Sequence, residues 1–134
     1  MAEPIQERIL AGLGRARDKL VVARCVLDAG FPADAVSDAY YATFHAASAA
    51  LLLEGDEPRS HEGLKTMFGL RFVKSGRLPA ELASILRDLK DERENGDYSV
   101  FPAITQQDAV RALADAERFV RDVTAFIEAQ GVRT

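Results

Sequence analysis

The stretch from Ala35 to Leu53 constrains the chain more than any other. Ala35, Val36, Ala39, Tyr40, Ala42, Phe44, Ala46, Ala47, Ala49, Ala50, Leu51 and Leu53 leave little polar surface on a helix. A helix apolar nearly all round must be buried nearly all round. Its polar residues are few and ordered: Asp38, Tyr41, His45 and Ser48 fall in one stripe spread over roughly 80° at helical spacing. Polar groups in a buried helix need partners, from other helices, from the face of a second subunit or from a ligand.

The rest of the chain reads as helix too, with no run of alternating β-branched residues to suggest a sheet. A first helix is predicted from Pro4 to Ala29, stopped at Gly30, with Ile9, Leu13, Leu20, Val21 and Leu27 as core positions. Pro32 opens the second helix, which runs to Glu54 and ends at Gly55. The tight Phe31-Pro32 connection makes the two antiparallel neighbours. Ser60 can cap a shorter third helix to about Ser75, and Pro79 starts a fourth that reaches Asn95. Gly96 to Ile104 reads as an apolar loop. Thr105 and Asp108 form a capping box for a fifth helix to about Gln130, with Val110, Leu113, Phe119, Val120, Val123 and Ile127 in the core. The expected architecture is an all-α, up-and-down four-helix bundle with an additional short helix, in one domain spanning residues 1–134.

Arg93 stands out within the fourth helix. Leu82, Ile85, Leu86 and Leu89 recur at helical spacing, and Arg93 continues their line toward the core. Arg87, Asp88, Lys90, Asp91, Glu92 and Glu94 project elsewhere, where a solvated face belongs. An inward guanidinium needs a carboxylate, a carbonyl or a ligand, unless its methylenes lie over the apolar edge and the head stays in water. An ion pair between Asp38 and Arg93 is the simplest structural account of both anomalies. In the functional account Arg93, Tyr41 and His45 converge in a cleft where a phosphate binds, the planar guanidinium giving paired bonds and His45 general acid or base function.

Charge and composition narrow the classes. A net charge of −4 argues against indiscriminate nucleic-acid binding. Arg59, Lys65, Arg71, Lys74 and Arg77, with Glu62 as the one acid among them, make a local stretch of +4 and leave −8 on the remainder. That stretch can face RNA, an acidic neighbouring subunit or simply solvent. Cys25 is the single cysteine, which excludes an intrachain disulfide, suits a reducing cytoplasm and reads as a small core residue. No signal peptide or membrane span is expected. His45, His61 and Cys25 lack the close spacings of a zinc site, Gly12-Leu13-Gly14 lies within a helical pattern rather than a phosphate loop, and no metal or cofactor is expected.

Three ordered blocks resemble the HEPN family, the small helical domains often found beside minimal nucleotidyltransferases. Residues 37–47 are similar to its S-x-A-Y-Y-A-x-F-H-A-A helix. Ser60-His61-Glu62-Gly63 with Phe72-Val73-Lys74-Ser75-Gly76 is similar to its middle segment, and Arg93-Glu94-Asn95-Gly96-Asp97-Tyr98 to its R-x-x-A-D-Y ending. The resemblance implies a cytoplasmic homodimer working with a nucleotidyltransferase partner in a toxin-antitoxin or regulatory pair. It implies a nucleotide or RNA-phosphate cleft around Arg93, with Tyr41, Asp38 and Lys74 as further contacts. Tyr98 matches the tyrosine that can accept a nucleotidyl group. Many family members are metal-independent ribonucleases in which a histidine follows the arginine by four to six residues. Here Asp97 and Tyr98 occupy that neighbourhood, so a ribonuclease reading draws its proton donors from His45, Asp97 or Tyr98. The remaining alternative is an inactive interaction module.

Overall fold

The computed structural model describes residues 3–98 and 104–134; of Glu3, Asp97 and Tyr98 it describes only their place in a helix. Five helices follow in order: α1 (Glu3–Asp28), α2 (Pro32–Leu52), α3 (His61–Phe68), α4 (Ala80–Tyr98) and α5 (Gln106–Ala129). No strand occurs among the described residues.

Helix α2 touches each of the other four, as its apolar sequence demands. Ala35, Val36, Ala39, Tyr40, Ala42, Thr43, Ala46, Ala47, Ala49, Ala50 and Leu51 are all buried. The small side chains let its neighbours approach closely. At Gly12 of α1 a Cβ would stand 3.2 Å from Ala49 Cβ and 3.5 Å from the His45 carbonyl oxygen. The side of α2 that remains open carries Asp38, Tyr41, Phe44, His45 and Ser48, all half-buried. The polar stripe is therefore the rim of the buried helix rather than part of its buried face.

Local signals account for the helix ends. Gly30 ends α1 with φ +91°, a left-handed conformation that a Cβ would strain, and Phe31 N–H donates back to the Val26 carbonyl at 2.9 Å. Ser60 Oγ accepts from Gly63 N–H at 2.9 Å at the start of α3. Thr105 and Asp108 complete the reciprocal capping box of α5, each bond 3.0 Å long. Gln106 Nε2 donates to the Leu27 carbonyl at 2.6 Å and ties the start of α5 to the end of α1.

Several expectations need correction. The third helix does not run evenly to Ser75: α3 ends at Phe68 and a π-helical turn, Gly69–Val73, follows, with Lys74 N–H donating to the Gly69 carbonyl. Helix α4 does not stop at Asn95 but continues through Gly96 to Tyr98. Gly96 is tolerated there by close packing, since a Cβ would meet Ile104 Cδ1 at 2.6 Å and Ala33 Cβ at 3.4 Å. Cys25 is exposed, as are Val21 and Val110, assigned to the core from sequence. Each lies roughly 120° or more round its helix from the centre of the buried stripe. Leu82, Ile85, Leu86 and Leu89 are buried as expected, as are Ile9, Leu13, Leu27, Leu113, Phe119, Val120, Val123 and Ile127. No described helix is long and apolar enough to cross a membrane.

Candidate functional site

The end of α4 brings Arg93 against the open edge of α2. Its Cζ lies 5.0 Å from the Tyr41 ring centroid and 5.9 Å from that of Tyr40, and its Nε is buried. Two aromatic faces thus support a guanidinium whose inner nitrogen has left water. The Asp38 to Arg93 ion pair is not formed. Asp38 turns to α1, where Lys19 Nζ lies 3.6 Å from its Oδ1, because one side of α2 faces α1 while Tyr40 and Tyr41 meet α4. Burial raises the pKa of the Asp38 carboxyl, with Lys19 opposing it.

The imidazole beside Arg93 is His61, not His45. Ser60, as cap, places His61 at the first position of α3, and its Nδ1 lies 2.7 Å from the Tyr40 hydroxyl. The ring stacks on Tyr40 at 5.6 Å, lies 4.9 Å from Phe44 and meets Tyr41 edge-on. Burial pushes the His61 pKa down, and the positive charges of Arg93 and Lys90 push it further. Both effects favour the neutral imidazole. Burial likewise pushes the Tyr40 phenol up to about 12, with Lys90 and Arg93 opposing. Tyr40 stays a phenol, and the pair offers one donor and one acceptor between oxygen and Nδ1.

A second cation completes this cluster. The sequence pattern puts Lys90 on a solvated face, yet its side chain is only 12% exposed, because α3 covers that flank of α4. Its Nζ lies 2.8 Å from Glu94 and 3.1 Å from Glu62, and these bonds raise its pKa while holding both carboxyls below their ordinary value. The lysine is thereby neutralised locally. His61 and Lys90 are the residues that sequence reasoning passes over; the Ser60-His61-Glu62-Gly63 block and the Lys90/Glu94 spacing of four are the available signals.

His45 lies elsewhere on the same edge of α2. It lines a cleft of about 330 Å³ with Arg8, Gly12 and Arg15 of α1 and with Ser48. Burial, Arg15 and Lys19 lower its pKa. Lys74 is exposed beyond the π-helical turn, and no contact among the described residues joins it to Arg93. Its basic stretch is largely answered internally: Arg71 pairs with Asp56 at 2.8 Å, Arg77 with Glu54 and Lys65 with Glu62. The side chains of Asp97 and Tyr98 lie outside the described residues. Among the described residues no group of three His, Cys, Asp or Glu could hold a metal ion.

Comparison with known proteins bears on the fold and the family. A Thermus thermophilus protein, TT1696, has a crystal structure that superposes with a TM-score of 0.74 at 21% identity, covering 89% of this chain and 98% of that one, which shows the fold. A Methanocaldococcus jannaschii protein named "Putative toxin MJ0605" is 34% identical over 116 residues, 87% of this chain and 86% of its own length. A UPF0332 protein of Gloeobacter violaceus is also 34% identical, over 86% of this chain and 92% of its own. Residues 11–126 match the HEPN domain, and the chain belongs to that family.

Proposed function

We propose that this chain is a toxin-type HEPN protein that acts as a homodimer, engages the phosphate of RNA or a nucleotide at Arg93, and is controlled by a nucleotidyltransferase partner. One observation carries this reading: the Arg93 guanidinium rests on Tyr40 and Tyr41, the same rings that pack against His61. A fork-shaped cation held against aromatic rings is pre-organised for paired bonds to a phosphate. The name that the Methanocaldococcus jannaschii relative carries points to the same class. Tyr98, at the end of α4, is the candidate acceptor of a nucleotidyl group.

Two experiments test this reading. Size-exclusion chromatography with light scattering is expected to show a dimer at micromolar concentration; a strict monomer argues against it. Incubation with a nucleotidyltransferase encoded beside this chain and ATP is expected to add nucleotidyl mass that maps to Tyr98. An unmodified chain removes the partner from the account.

The nearness of His61 and Arg93 also favours a second reading, a metal-independent RNA endonuclease. Arg93 would stabilise charge on the phosphorus centre and His61, supplied from α3, would stand in for the missing histidine after Arg93. The partner-free protein is then expected to cut RNA in the presence of a chelator. Intact RNA under those conditions leaves the binding role alone.

A further inference from the structure

The cleft that holds His45 goes beyond the Arg93 reading and does not rest on it. It lies between α1 and α2, with residues 56–58 also on its wall, and has a volume of about 330 Å³. Gly12 shapes it, since its contact with Ala49 lets the two helices approach closely there. The carboxylates on its wall are already matched: Glu57 is bonded to Arg8, and Asp56 is held by both Nε and Nη2 of Arg71. The guanidinium of Arg15, the imidazole of His45 and the hydroxyl of Ser48 differ. None of the three has a hydrogen-bond or ion-pair partner among the described residues, and all three line the cleft.

A fixed positive charge, an imidazole and a hydroxyl around one space form a donor set for an oxyanion, with no spare carboxylate to attract a cation. A tetrahedral group can use all three directions, the guanidinium taking two of its oxygens. The volume is at the lower end for small-molecule sites, so an organic remainder fits as well, against Ala11, Ala49 and Leu52. We propose that the α1–α2 cleft binds a terminal phosphate monoester, through Arg15, His45 and Ser48, on a small phosphorylated molecule or on the 5′ end of an RNA. Burial and two nearby cations hold the His45 pKa down, and a dianion among these groups counters those cations.

The test is an NMR titration of the isotope-labelled full chain with inorganic phosphate, ribose 5-phosphate, and a short RNA carrying either a 5′ phosphate or a 5′ hydroxyl. Saturable shifts are expected at Gly12, His45 and Ser48 with the three phosphate-monoester or phosphate probes. Binding should weaken at least about tenfold in Arg15→Gln, an exposed site whose amide spectrum reports that the fold is kept. Arg93→Ala should leave these shifts unchanged, which separates this cleft from the Arg93 site. Tighter binding of ribose 5-phosphate or of the 5′-phosphorylated RNA identifies the natural source, and either supports the assignment. Absence of saturable shifts at these residues, equal affinity in Arg15→Gln, loss of the shifts in Arg93→Ala, or equal response to the 5′-hydroxyl RNA would overturn it.

Discussion

The Tyr40 hydroxyl and His61 Nδ1 lie 2.7 Å apart, joining the most buried aromatic residue of α2 to the first residue of α3. This bond fixes the imidazole beside Arg93 and leaves Nε2 as its other polar atom. Tyr40→Phe removes the oxygen and keeps the ring. Stability is expected to fall by about 1 kcal/mol in urea unfolding, because one part-buried bond is lost and Nδ1 is left without it. The His61 ring resonances should shift in the same variant, reporting a freed imidazole.

The two glycines of α1 should respond in opposite directions. Gly12→Val places branched carbon where even a Cβ is 3.2 Å from Ala49 Cβ, so overpacking should cost about 1–3 kcal/mol. A Cβ added at Gly14 would meet nothing within 4 Å, so Gly14→Ala should gain about 0.5–1 kcal/mol from helix propensity. Paired denaturant curves check both signs, and destabilisation by Gly14→Ala would contradict the packing described at α1 and α2.

Acidification should weaken the fold in two stages. The pKa values of His45 and His61 are depressed below the ordinary 6.5, chiefly by burial. The unfolded chain therefore binds protons more readily, and stability present above pH 6.5 is lost as pH falls below that value. Glu62, Glu94 and Asp108 are also depressed by their bonds, and their share is lost only as pH falls below the ordinary carboxylate range. Unfolding midpoints between about pH 8 and 5 should show the first stage, flattened in the His45→Gln/His61→Gln double variant. A profile unchanged by that double substitution would place the titration elsewhere.

Much of the fold was legible because it depends on periodicity and punctuation. The apolar circumference of α2, Gly30, Ser60 and the Thr105/Asp108 box each act locally, and each appears where the sequence places it. The end of α4 was not legible, since Gly96 reads as a stop unless Ile104 and Ala33 are known to crowd it. The site was legible in half. Arg93 and Tyr41 share an apolar edge that helical spacing reveals, whereas His61 reaches them by the docking of α3, a long-range arrangement with no period to read. The same limit explains Asp38. Its choice of Lys19 over Arg93 depends on which neighbour faces each side of α2.

Binding of a fluorescein-labelled single-stranded RNA, followed by anisotropy with wild type and Arg93→Met, decides whether Arg93 is a phosphate site. Methionine keeps an apolar stem against Tyr40 and Tyr41 while removing the charge and the fork, and thermal unfolding verifies that the variant remains folded. The wild type is predicted to bind, with affinity falling at least about tenfold in Arg93→Met. Equal affinity in the two proteins, with both folded, would contradict a phosphate site at Arg93.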